Sequence, residues 1–247
     1  MSAPTVIMSI NDNPLYAGFR DIVVPAWERG GFNVHLVDVG SETKYGVPYS
    51  NWSQVARILR YQDATEGQII VSDIDLLPMD AAHIRWICDH APPDTLTCSG
   101  WDAYEHDPWC ENRKFPGCYM IARASVWADI VNPQGMDDAD LVRSWVGLDS
   151  ILCEEDPFRD DYSEESMLRY LVYSWVRRTG RRTHNIARGW DRTPQGLRAY
   201  NRLDRADWDM DVPALRCGYY IDAHLPRPMC DHMDKIQPLM DYLGVGL

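Results

Sequence analysis

No stretch of the 247-residue chain approaches the run of about 20 apolar residues that a membrane-spanning helix requires, and its first residues, MSAPTVIMSINDNP, carry no basic leader. The expectation is a cytoplasmic protein without a membrane span. No C-x-x-C pair occurs among the seven cysteines, at positions 88, 98, 110, 118, 153, 217 and 230, and their number is odd. Neither a disulfide framework nor a zinc ribbon is indicated, and reduced thiols suit the cytoplasm. The Asn51-Trp52-Ser53 sequon is read as accidental, since no secretory signal accompanies it. Positive charge is scarce. With 24 Lys plus Arg against 37 Asp plus Glu, the formal charge is −13, which disfavours nucleic acid as a partner because a phosphate backbone attracts the opposite balance. Small molecules or carbohydrates fit better.

Internal repeats and low-complexity linkers are absent too, so residues 1–247 are read as one domain, a length that can bury a sizeable core. Phenylalanine occurs only four times, against ten tryptophans and thirteen tyrosines. Such amphipathic aromatics stack on sugar or base faces, but they also fill ordinary cores.

What is present is an alternation of elements. Thr5 to Ile10 reads as a strand, and Pro14 opens a helix that ends before Gly30 and Gly31. Asn33 to Val39 is a second strand, Asn51 to Gln62 a helix, and Gln68 onwards a third strand. This βαβαβ order predicts an α/β fold with a mostly parallel, Rossmann-like sheet flanked by helices. Further on, a helix over Asp80 to His90, strands at Thr95 to Ser99 and Cys118 to Ala122, and helices from Ser125, over Ala139 to Cys153 and over Ser163 to Arg178 are expected. A late strand near Gly218 to Ile221 and a closing helix over Met233 to Leu243 complete the reading.

Within QIIVSDIDLLPMD, residues 68–80, the β-branched Ile69, Ile70 and Val71 suggest a strand covered on both faces, and it stops at two aspartates. If the chain stays extended, Asp73 and Asp75 point to one side and Ile74 to the other. Two carboxylates so placed repel unless a cation sits between them, which favours a divalent metal. The competing reading is a solvated turn, with Asp80 as an N-cap. Ligands of open α/β sheets bind at the carboxyl ends of strands, and that location favours the metal.

With that D-x-D pair and a late aspartate-histidine element, the sequence resembles glycosyltransferases of the GT-A fold, loosely the small stand-alone enzymes of large viruses. The resemblance rests on VSDIDLLP, FPGCYMIARASVW, SEESMLRYL and IDAHLPRP, and spans roughly Thr5 to Pro228. It implies a nucleotide-sugar donor, UDP-linked, a glycan or other hydroxyl acceptor, and Mn²⁺ or Mg²⁺ as cofactor. Residues 1–100 would form the nucleotide-sugar-binding half and residues 101–247 the acceptor-side half with the C-terminal metal ligand.

By the same resemblance Asp75 is a direct metal ligand, Asp73 a ligand or a partner of the ribose, and His224 the nitrogen ligand. Asn11, Asp12 and Asn13 would line the nucleotide, with Tyr16 available for stacking, although these residues also make an ordinary helix-capping turn. Arg57 and Arg60, three apart on a predicted helix, are candidates for the diphosphate. Gly117 would let the donor sugar approach the backbone. Glu164 and Glu165 are the expected catalytic carboxylates, or else a favourable helix start. Asp102 and Asp149 are the further candidates. Arginines 177, 178, 181, 182, 188 and 192 form a basic cluster, read as a helix end or an anion contact. Two alternatives stand: an inactive carbohydrate-binding protein on the same scaffold, and a sugar nucleotidyltransferase. The latter is disfavoured because SINDNPLYAGF offers no glycine-rich, basic phosphate loop.

Overall fold

The computed structural model describes residues 2–41, 43–47, 49–64, 67–99, 119–145, 164–186, 191–193, 196–198, 201–206 and 208–246. Strand β1 (Thr5–Ile10) leads through a 3-10 turn (Pro14–Tyr16) into helix α1 (Phe19–Arg29), which closes at Gly30. Strand β2 (Asn33–Asp38), helix α2 (Tyr49–Leu59), a second 3-10 turn (Arg60–Asp63) and strand β3 (Gln68–Val71) follow. The sequence predicts one helix from Pro14. The chain instead turns at Gly18, whose φ of +85° is a left-handed conformation suited to glycine, before α1 begins.

Next come β4 (Leu76–Pro78), α3 (Ala81–His90), β5 (Thr97–Ser99), β6 (Met120–Arg123), α4 (Ala124–Val131) and α5, helical over residues 138–145. The remaining elements are α6 (Glu164–Thr179), β7 (His184–Ile186), β8 (Asp191–Thr193), β9 (Gly196–Arg198), β10 (Asn201–Leu203), α7 (Val212–Arg216), β11 (Tyr220–His224) and α8 (Met233–Leu243). Asp80 does cap α3, its carboxylate accepting from the His83 amide at 3.0 Å.

The main sheet has six strands in the order β2-β1-β3-β6-β5-β7. The β1–β2, β1–β3 and β5–β7 pairings are parallel, and β6 alone runs against its neighbours β3 and β5. The mostly parallel α/β sheet predicted from βαβαβ is therefore present. Each face is covered. One core packs α1, α3 and α8 against Val6, Met8 and Ile70; the other packs α2, α4 and α6 against Ile7, Ile69 and Val71. Consecutive β3 residues enter opposite cores, which is why the strand lacks polar alternation. Trp27, Trp127, Trp145 and Trp175 are fully buried, so much of the tryptophan fills the cores.

A second sheet positions the site. Its order is β10-β11-β4, with β11 parallel to β10 and antiparallel to β4. Neither β4 nor β10 is expected from the sequence, and each is only three residues long. The basic cluster resolves in part into a helix contact: Arg178 and Arg181 at the end of α6 pair with Asp129 of α4 at 2.8 and 3.7 Å. Arg188 lies outside the described residues.

Candidate active site

Beyond β3 the backbone continues its pairing for one more residue, the Ser72 amide donating to the Ile7 carbonyl at 3.1 Å. It then turns. The Leu76 amide donates to the Asp73 carbonyl at 3.2 Å, closing a four-residue turn across Asp73 to Leu76. The extended D-x-D expected from the sequence is thus replaced by a turn. The carboxylates of Asp73 and Asp75 still converge, while Ile74 sinks into the core beside Leu76 and Leu77. Nor is the turn a solvated one, because Asp75 is only 3% exposed.

Strand pairing then delivers a third group. Leu76 faces His224 across the antiparallel β4–β11 ladder, and the Leu225 amide donates to the Asp75 carbonyl at 2.8 Å. The His224 imidazole is set beside the residue that precedes Leu76. Oxygen or nitrogen atoms of Asp73, Asp75 and His224 all lie within 4.8 Å of one another, the one such acidic or imidazole cluster among the described residues. Two carboxylates and one imidazole form an oxygen-rich donor set that fits Mn²⁺ or Mg²⁺.

Arginines surround these carboxylates. Arg57, buried on α2, donates to the Ser72 carbonyl at 3.0 Å and to the Asp73 carboxylate. Asp75 Oδ2 accepts from Arg205 Nη1 at 2.6 Å and lies 3.4 Å from Arg227 Nε. Its Oδ1 lies 3.6 Å from His224 Nε2. On the far side of the ring, His224 Nδ1 is 3.8 Å from Asp204. Burial works against charging His224, but the carboxylates of Asp204 and Asp75 outweigh it and raise its pKa to about 9. The same contact with His224 holds Asp204 far below the usual carboxylate range.

The segment that carries Asp204 and Arg205 is itself pinned. Arg202 on β10 makes a two-pronged contact with Asp222 on β11, 2.6 Å from Nε and 2.9 Å from Nη2, with both side chains buried. Parallel pairing places Arg202 opposite Asp222, so the ion pair fixes β10 to β11 and the following turn over the site. Asp222 therefore serves Arg202.

The other predicted residues divide. Tyr16, in the first 3-10 turn, accepts from Arg227 through its hydroxyl, and the guanidinium lies 4.9 Å from its ring centroid. Burial pushes the Tyr16 phenol up. Asn11 is buried at the end of β1, donating to Ser53 at 3.0 Å and accepting from the Asn13 amide. Asn13 in turn accepts from the Leu15 amide, and the Asp12 amide donates to Gly40. These bonds define the loop after β1. Arg60, beyond the end of α2, lies 3.9 Å from Asp63, whereas Arg57 reaches the D-x-D. Glu164 and Glu165 open α6. Asp102, Asp149 and Gly117 lie outside the described residues.

Sequence reasoning misses Asp204, Arg205 and the contribution of Arg227. Arg227 stands in the quoted IDAHLPRP and its charge is the signal; Arg205 has none, because a three-residue strand brings it in.

No family model and no curated protein matches the chain. Among solved structures it is similar to the galactosyltransferase LgtC in complex with donor and acceptor sugar analogs, with 13% identity, 97% of this chain and 95% of that chain covered, and a TM-score of 0.54. An active-site mutant of LgtC gives 11% identity, the same coverage and a TM-score of 0.52. A glycosyltransferase involved in the glycosylation of the major capsid of PBCV-1 gives 10% identity, coverage of 98% and 100%, and a TM-score of 0.49. The LgtC likeness shows the fold, and the chain has the GT-A architecture.

Proposed function

We propose that the chain is a metal-dependent glycosyltransferase that moves a sugar from a nucleoside-diphosphate donor, UDP-linked, to a hydroxyl acceptor such as a glycan, in the cytoplasm. The observation that carries this reading is the convergence of Asp73, Asp75 and His224 at the carboxyl end of β3 in a GT-A fold. LgtC, on the same fold, was solved with donor and acceptor sugar analogs.

The chemistry agrees with the residues. Asp73, Asp75 and His224 would hold the ion, which when bound supplies Lewis-acid stabilisation of charge on a departing diphosphate. Arg57 holds the Asp73 carboxylate in place from α2. Arg205 and Arg227 bring guanidinium forks whose geometry matches phosphate oxygens. In this proposal residues 1–100 bind the donor, with Asn11, Asp12, Asn13 and Tyr16 around the nucleotide and Arg60 as a second basic candidate. Residues 101–247 take the acceptor, with Gly117 beside the donor sugar. Glu164 or Glu165 takes the acceptor proton as general base, with Asp102 and Asp149 as the other carboxylates suited to that task.

The test is a panel of nucleotide sugars incubated with the protein and Mn²⁺, following release of nucleoside diphosphate and free sugar. Hydrolysis of a UDP-sugar that stops on chelation is expected. Nucleotide binding without turnover of any donor would instead identify a binding protein. Formation of a nucleotide sugar from a sugar phosphate and a nucleoside triphosphate would identify a nucleotidyltransferase.

A further inference from the structure

Among the described contacts at the site, Asp73, Asp75 and Asp204 contribute three negative charges and Arg57, Arg205 and Arg227 three positive ones, and His224, protonated in the metal-free site, must give up its proton to ligate a metal. A dication entering this cluster would raise the local sum to +2 around the buried Asp75. The repulsion between the ion and nearby guanidiniums is stronger there than at an exposed surface. The diphosphate of a nucleotide sugar carries two negative charges and would return the sum to zero.

Geometry makes the conflict specific. Asp75 is nearly fully buried, and its Oδ2 is held by Arg205 at 2.6 Å, with Arg227 at 3.4 Å. An ion using that oxygen competes with Arg205 for its lone pairs. Arg205 has somewhere to go, since its side chain is 29% exposed and it follows a short strand pinned by Arg202 and Asp222. We infer that Arg205 is the counter-ion that reserves Asp75 for a metal and a nucleoside diphosphate arriving together: it neutralises Asp75 when neither is bound and transfers to the diphosphate when the metal takes the carboxylate. This rests on the metal reading of Asp73, Asp75 and His224.

Such an arrangement couples the two ligands. Metal alone binds against Arg205, diphosphate alone finds the guanidiniums engaged with carboxylates, and each favours the other by the same factor. A coupling of this kind is about 5- to 150-fold. The role separates Arg205 from a plain phosphate contact, because removing it should strengthen one ligand while weakening the link to the other.

The experiment is calorimetric titration of Mn²⁺ into the wild-type chain, Arg205→Gln, Arg205→Lys and Arg227→Gln, without and with saturating UDP. For the wild type, UDP should tighten Mn²⁺ binding by about 5- to 150-fold. Arg205→Gln should bind Mn²⁺ alone more tightly than wild type by a comparable factor and lose most of the UDP effect, while Arg205→Lys keeps the wild-type pattern. Arg227→Gln should shift in the same direction, and it decides the matter if Arg205→Gln shows no cooperative thermal melt. Tightening of wild-type Mn²⁺ binding by UDP, together with no gain in Mn²⁺ affinity in the glutamine variants, would overturn the role of Arg205 while leaving the metal site standing. Absence of Mn²⁺ binding in every protein, with and without UDP, would instead overturn the metal reading, and this inference with it.

Discussion

His224 faces Leu76 across the β4–β11 ladder, so an imidazole far along the chain reaches Asp75 through backbone pairing. Shifting that pairing by one residue would turn the side chain to the other face of the sheet, so the register is part of the site. Asp75→Asn keeps the shape and can still accept from Arg205, and it removes the charge. The variant should fold but melt below the wild type, because Arg205, Arg227 and His224 lose their buried counter-charge, and it should lose measurable Mn²⁺ binding in the presence of UDP. Retained binding would remove Asp75 from the ligand set.

The Arg202–Asp222 pair makes a stability prediction. Asp222→Ala would leave the buried Arg202 guanidinium without this carboxylate, a loss of about 3–5 kcal/mol. For a domain of this size that is a fall in Tm of roughly 6–20 °C by thermal melt. A second substitution, Arg202→Met, in the Asp222→Leu background should restore much of the stability, since an apolar pair of similar volume needs no counter-charge. A single-mutant shift below about 2 °C would mean that the pair contributes little.

How far the sequence reveals this arrangement depends on the range of the interactions. Local signals suffice for β1, β2, β3 and α8, where β-branched runs and helical periodicity span whole elements and the limits read from the sequence agree closely with those found. Asp73 and Asp75 are legible because a carboxylate pair closes a β-branched strand, and His224 through the resemblance carried by IDAHLPRP. β4 and β10 are not, since three residues carry no periodicity and their partners lie far along the chain. The D-x-D turn is legible only as a solvated alternative, because its closing bond from Leu76 to Asp73 is a backbone contact and the burial of Ile74 and Asp75 depends on partners far along the chain.

The pH dependence follows from His224. Its pKa in the fold, about 9, lies above its ordinary 6.5, so the protonated imidazole stabilises the metal-free protein fully below pH 6.5, and that stability is lost as pH rises to about 9. Melts of the metal-free protein should therefore report a falling contribution from this group across that window. Metal binding has the opposite sign, because the proton must leave the ring. Apparent Mn²⁺ affinity should rise by up to about tenfold per pH unit below pH 9, with release of close to one proton at neutral pH. An affinity flat from pH 6 to 9 would mean that His224 does not ligate.

Glu164 and Glu165 open α6, where acids favour the helix start whatever else they do. If one is the general base, its Gln variant should bind Mn²⁺ and UDP normally and transfer sugar about 10² to 10⁴ times more slowly. If both only support the helix, each variant should lose about 1 kcal/mol or less with transfer nearly unchanged. Donor-saturated rates and melts on the two single variants separate these outcomes, and near-normal transfer in both would move the base to Asp102 or Asp149.

The most direct test of the central claim is a crystal grown with Mn²⁺ and UDP, with anomalous scattering collected at the manganese edge. The account predicts one strong peak within about 2.3 Å of an Asp75 carboxylate oxygen and of His224 Nε2, with Asp73 in direct or water-mediated contact. Nucleotide bound with no peak at this cluster, or with the His224 ring turned away from the ion, would contradict it.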